Sequence, residues 1–203
     1  MPYGDDWDDD HEVAAWAEAA DRKRPWRAQI RNHIAEQVAK LRRTARVLEL
    51  GSGPGLLAHC VLKQCPDLEQ YTLLDFSEPM LTLSRRRLES FSTATFVRAS
   101  FKSEDWMAHV DGPFDAVVSM QAVHELRHKR HAVALYEQAR RSMLVSGTLL
   151  ICDHTPFDES PKSATLYMTE DEQLGALADA GFSDVRIAVS LNGLVLYQAD
   201  EAP

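Results

Sequence analysis

What this chain has little of narrows its class first. It has three cysteines, Cys60, Cys65 and Cys152, an odd number in apolar surroundings; a disulfide frame is excluded and reduced, packed thiols are expected. No apolar run approaches the ~20 residues that span a bilayer. The N-terminus also lacks the basic-then-apolar layout of a secretory signal, so the expectation is a cytoplasmic protein without a membrane partner. Cations are outnumbered: 22 Lys and Arg stand against 31 Asp and Glu, a net charge of −9, with Asp5, Asp6, Asp8, Asp9 and Asp10 crowded at the start. Such a surface repels a phosphate backbone, which disfavours nucleic acid and leaves a small molecule as the expected partner. Glycine is sparse as well, at 9 in 203 residues.

Three of those glycines fall together in Val47-Leu48-Glu49-Leu50-Gly51-Ser52-Gly53-Pro54-Gly55. An apolar run that stops at such a turn and resumes as a helical pattern reads as a buried parallel strand, a tight loop and a helix whose free N–H groups face the loop. Without Cβ atoms, the glycines let a ligand touch the backbone. The spacing separates the candidates. A dinucleotide fingerprint needs G-x-G-x-x-G, but here Leu56 takes the third glycine's place; a Walker loop needs Gly-Lys-Ser or Gly-Lys-Thr, which does not follow.

The rest of the chain alternates. Residues 1–10 are polar and acidic and read as unstructured. Helical patterns cover about 12–22 and 26–43, the second with Ile30, Ile34, Val38 and Leu41 on one face. Three of the four tryptophans, Trp7, Trp16 and Trp26, lie in this N-terminal arm, residues 1–45, ahead of one globular domain, 46–203. Strands are expected at 71–75, 94–98, 114–119 and 148–153. Helices are expected at 55–64, 76–91 with Ser77 as N-cap, 129–143 and 170–180. A turn is expected at Gly147. Asn192-Gly193 between 185–190 and 194–198 signals a closing hairpin. Five strand–helix units imply an α/β fold with parallel strands and helices on both faces.

With Glu49 closing the first strand, the glycine turn resembles motif I of the class I S-adenosylmethionine-dependent methyltransferases. The resemblance covers about 46–198. It also rests on Asp75 ending the second strand, on Ser119-Met120-Gln121-Ala122-Val123-His124-Glu125-Leu126, on 144–153, and on Leu177-Ala178-Asp179-Ala180-Gly181-Phe182. It implies a Rossmann-like, seven-stranded, mostly parallel sheet of order 3-2-1-4-5-7-6 with an antiparallel last strand. It further implies S-adenosyl-L-methionine as cofactor, S-adenosyl-L-homocysteine as product, and methyl transfer to a small acceptor by in-line displacement. Gly51, Ser52, Gly53, Gly55 and Gln121 would then line the cofactor, Asp75 its ribose and Glu49 its amino group, with Phe76 and Met80 on the adenine. Where the family commonly has an Asp for the adenine amine, this chain has Arg98-Ala99-Ser100-Phe101, so Ser100 or Phe101 is expected to serve.

A base is needed only if the acceptor must lose a proton, and His124 is the first candidate, followed by Asp153 and His154 at the end of the fifth strand. His124-Glu125-Leu126-Arg127-His128 also matches H-E-x-x-H, with His131 nearby, but it follows directly off a strand among Arg127, Lys129 and Arg130; no metal is expected. Only 154–168 remain between the fifth strand and the last helix, too few for a substrate-covering insertion. The arm is therefore the expected lid over the acceptor. Two other readings stand behind this one: a non-catalytic cofactor- or partner-binding module on the same fold, and a zinc-dependent hydrolase.

Overall fold

The structure, a computed structural model, describes residues 7–103 and 105–201. The expected lack of structure in residues 1–10 falls outside the described residues for 1–6. Beyond them, the Asp9 carboxylate accepts from the N–H groups of His11 and Glu12 and starts α1 (Asp10–Lys23). A second helix, α2 (Arg27–Val38), precedes the sheet. It ends five residues before the expected 43, where the chain turns to enter the sheet.

Seven strands follow: β1 (Arg46–Leu50), β2 (Gln70–Asp75), β3 (Ala94–Arg98), β4 (Phe114–Met120), β5 (Met143–His154), β6 (Asp184–Leu191) and β7 (Leu194–Asp200). Their order is β3-β2-β1-β4-β5-β7-β6, with β7 antiparallel to both neighbours and the first five parallel. The connecting helices are α3 (Leu56–Gln64), α4 (Glu78–Arg87), α5 (Ala132–Arg141), a short α6 (Pro161–Leu166) and α7 (Glu170–Asp179). Ser77 caps α4 as expected, and Thr169 with Glu172 forms a full capping box on α7. The short helix α6 carried no periodic signal. β5 runs straight through Gly147 instead of turning there: an added Cβ would lie 2.9 Å from the Leu144 carbonyl and 3.2 Å from that of Asp115, so the glycine serves close strand packing.

Two apolar cores flank the sheet. One lies under α5 and α7 and includes Leu48, Leu50, Phe101 and Trp106; the other lies under α2 and α3 and includes Ile30, Ile34, Val47 and Val61. The arm is therefore not one unit. Ile30, Ile34, Ala35 and Val38 bury α2 in the domain core, whereas α1 buries only Val13 and Ala20. Among the described residues, no helix is long and apolar enough to cross a membrane.

Candidate functional site

The glycine turn sits at the carboxyl edge of the sheet, where open parallel sheets bind ligands. Gly51 and Ser52 donate their N–H groups to the Leu74 carbonyl at 2.9 and 3.1 Å, folding the turn back on β2. The three glycines serve different ends. A Cβ on Gly51 would lie 2.4 Å from the Ala122 Cβ, and one on Gly55 would lie 3.0 Å from the Ser84 hydroxyl; these two make room for protein. Gly53, at φ +53°, would meet nothing within 4 Å and is the one that opens backbone to a ligand. Asp75 is buried and accepts from the Gly53 N–H at 2.8 Å and the Ser77 N–H at 2.9 Å, so its carboxylate ties the glycine turn to the start of α4. Burial raises its pKa, opposed by those backbone bonds. Glu49 faces the α2 side, and the Tyr71 hydroxyl donates to it at 2.9 Å; burial raises its pKa to about 8. The Ser52 hydroxyl is buried with no partner among the described residues.

A second cluster occupies the ends of β4 and β5. The His124 Nδ1 lies 2.7 Å from one Asp153 oxygen, and the His124 N–H donates to the other at 2.9 Å. The His154 N–H adds a third donor to Asp153 at 2.8 Å. Asp153 thus holds the tautomer that leaves the His124 Nε2 lone pair without a hydrogen bond among the described residues, with a Glu125 carboxylate oxygen 3.9 Å away. Burial works against protonation of His124 but is outweighed by the Asp153 charge, so its pKa is raised; burial likewise acts on Asp153 and is outweighed by His124, so its pKa is lowered. The His154 Nε2 meets the Arg24 Nη1 at 3.1 Å and the Gln121 amide at 2.7 Å. Arginine can only donate, so this nitrogen accepts and His154 is neutral. Burial, joined by the Arg24 charge, brings its pKa down to about 4. Of the three expected bases only His124 therefore has a free acceptor nitrogen. Asp153 acts through it, and His154 is engaged. Gln121, φ 61°, is held in a left-handed backbone conformation at this point, its N–H donating 2.7 Å to the Cys152 carbonyl.

The family profile described as a methyltransferase domain matches residues 47–147, a span that runs from the glycine turn through His124. Solved structures agree. A proposed O-methyltransferase from Nostoc punctiforme superposes with a TM-score of 0.71 at 18% identity over 91% of this chain and 59% of its own. Human N-acetylserotonin methyltransferase, solved with S-adenosylmethionine, gives 0.71 at 15% over 96% and 57%. The chain belongs to the class I S-adenosylmethionine-dependent methyltransferase family. A Burkholderia thailandensis member of an O-methyltransferase family gives 0.69 at 18% over 94% and 61%, so the chain spans about three fifths of the length of these structures. No curated protein matches it in sequence.

The residues expected around the adenine divide. Phe101 is 8% exposed and packs beneath Gly51 in the core, and Met80 is buried in α4. Phe76 keeps partial exposure, with the Lys102 ammonium 5.7 Å from its ring centroid, and the Ser100 hydroxyl accepts from the Lys102 N–H at 3.3 Å. The H-E-x-x-H residues do not share a helix face. A 3-10 turn over Val123–Leu126 ends at Arg127, φ 65°, and His128 lies in extended backbone beyond it, so the two imidazoles are not one helical turn apart. Among the described residues no cluster of three or more metal-ligating side chains is found.

Several residues near the site escaped sequence reasoning. Tyr167 brings its ring 5.3 Å from that of His124 and 5.8 Å from that of His154, with no signal in its surroundings to mark it. Arg27 and Arg31 were visible as cations interleaved with Ile30 and Ile34 on an apolar helix face, and both are buried. Asp21 of α1 forks onto Arg31 at 2.9 and 2.5 Å. The Ser77 hydroxyl donates to the Trp7 carbonyl and Arg27 lies over the Trp16 ring at 5.6 Å, so these contacts tie the N-terminal segment to α2 and to the start of α4.

Proposed function

We propose that this chain transfers a methyl group from S-adenosylmethionine to a small acceptor whose nucleophile carries a proton, a hydroxyl above all. The observation that carries the reading is the His124–Asp153 pair standing on the same sheet edge as the glycine turn and Asp75. The residues present fit the cofactor: Gly53 opens backbone, the Ser52 hydroxyl is buried and unpartnered, and Asp75 has lone pairs left for a ribose diol. When bound, the cofactor supplies a sulfonium methyl with a neutral leaving group, so the protein's tasks are alignment and exclusion of water.

In this reading His124 takes the acceptor proton on Nε2. Asp153 fixes its tautomer and stabilises the imidazolium, α1 covers the site, and Phe76, Ser100 and Lys102 frame the adenine. We also place the protein in the cytoplasm, acting on a diffusible substrate; the free thiols Cys60, Cys65 and Cys152 suit a reducing compartment. Incubating the protein with methyl-labelled cofactor and a panel of phenols, amines and thiols tests the reading. Label should enter a hydroxyl acceptor, and His124→Ala should slow transfer by about 10²–10⁴-fold, the usual contribution of a general base. Labelled products that are equally abundant with His124→Ala would remove the base from the mechanism.

A further inference from the structure

A cavity of about 250 Å³ opens beside His154, lined by Arg24, Trp26, Thr155, Pro156, Phe157 and the Asn192-Gly193 turn. Its walls and its charge point different ways. Trp26, Pro156 and Phe157 are apolar, and Phe157 is 62% exposed, its ring tilted against that of Tyr167 at 5.2 Å, which in turn faces His124. Arg24 brings a cation. Among the described residues no carboxylate pairs with it; its guanidinium reaches only the neutral His154.

The neighbourhood reinforces this. Arg24, Arg27 and Arg31 recur within eight residues, and among the described residues Asp21 is the only acid that pairs with any of them, forking onto Arg31 and standing 4.0 Å from Arg27. The Nε of Arg27 and the indole N–H of Trp26 are buried without acceptors among the described residues. On a chain of net charge −9, a cavity lined by the Arg24 cation and by Trp26, with no carboxylate in its lining, is a local reversal of sign. Buried donors without acceptors are costly, and a ligand that supplies acceptors recovers that cost.

We propose that the cavity seats the carboxylate of an aromatic acid, with Arg24 as its principal partner, and that this acid is the methyl acceptor. Arginine presents a planar fork that matches a carboxylate, and the aromatic walls match a ring. His154, shared between this cavity and the lining around His124 and Tyr167, joins the anion seat to the base. The part played by the acid as methyl acceptor rests on the methyl-transfer reading above; its binding does not.

Trp26 lines the cavity, so binding is read by tryptophan fluorescence of the full chain. The probes are 3,4-dihydroxybenzoate, catechol, and phenyl phosphate. The carboxylate should bind at least about tenfold more tightly than catechol, the value of one charge-assisted contact. Arg24→Gln should abolish that preference, Arg24→Lys should retain part of it, and Arg22→Gln, an exposed neighbour on α1, should leave it intact. Thermal melts confirm that each variant is folded, and Arg24→Lys carries the test if Arg24→Gln is not. Equal binding of catechol, a preference that survives Arg24→Gln in folded protein, or tighter binding of phenyl phosphate than of the carboxylate overturns the proposal. A second arm adds labelled cofactor. Carboxylate binding without label transfer to any acceptor would sink the methyl-transfer reading and leave the anion seat standing. Label entering catechol as readily as the acid, indifferent to Arg24→Gln, would do the reverse.

Discussion

Gly53 combines a positive φ with open space around its missing Cβ, so Gly53→Ala meets no protein atom and its cost to the fold is the backbone strain alone, about 1–2 kcal/mol. The added methyl nevertheless points where a ligand would touch the backbone. Gly53→Ala should therefore lower the melting temperature by a few degrees while weakening cofactor binding far more, and Gly53→Val should abolish binding; calorimetry on the folded variants checks both. His124 yields a pH prediction. Its pKa is raised because the Asp153 charge outweighs burial, and a base works only when deprotonated. Turnover should rise with pH through a midpoint above the ordinary histidine value of about 6.5. Asp153→Asn removes the charge that holds the proton, so the midpoint should move down while the plateau rate falls. A profile with no such limb, or one unmoved by Asp153→Asn, would place the base elsewhere.

His154 carries the opposite sign. It stays neutral in the fold down to about 4, while the unfolded chain protonates it near 6.5. Between those values the unfolded state binds more protons, so stability falls as pH drops from 6.5 toward 4, by on the order of 3 kcal/mol from this group. Denaturant melts across that window should show a shallower decline in His154→Gln than in the parent.

Among the elements, α1 and α2 behave differently although the sequence joined them in one arm. The apolar face of α2 was legible from Ile30 to Val38, and its burial makes it part of the core. Removing residues 1–40 should therefore unfold the domain rather than merely uncover the site. The helix α1 is held by polar contacts to Arg27 and Arg31, with Trp7 just ahead of it tied to Ser77, and by little buried area, the character of an element that can lift. In hydrogen exchange, α1 should be the least protected helix in the free protein and should gain protection on adding S-adenosylhomocysteine, while α2 stays slow in both. Equal protection of α1 with and without ligand would make it a fixed cover.

Across the whole molecule, the parallel sheet and its closing hairpin could be read in the sequence because apolar runs, the glycine turn and Asn192-Gly193 are local signals, each tied to one backbone geometry. The pairing of His124 with Asp153 could not, since His124 lies in the turn after β4, Asp153 lies on β5, and only the β4–β5 register brings them together. The same is true of Arg24 and His154, which are 130 residues apart. The separate duties of the glycines were hidden for a related reason: the neighbours that Gly51 and Gly55 accommodate come from distant segments, Ala122 and Ser84.

In the proposed reaction this sheet edge binds S-adenosylmethionine through the glycine turn and Asp75. Isothermal titration of S-adenosylhomocysteine into the full chain tests it most directly. One equivalent should bind, and Asp75→Ala should weaken binding by about 2–4 kcal/mol, two charge-assisted hydrogen bonds at ~1.5 kcal/mol each, in a protein that remains folded. No measurable binding by the parent protein, or unchanged affinity in folded Asp75→Ala, would contradict it.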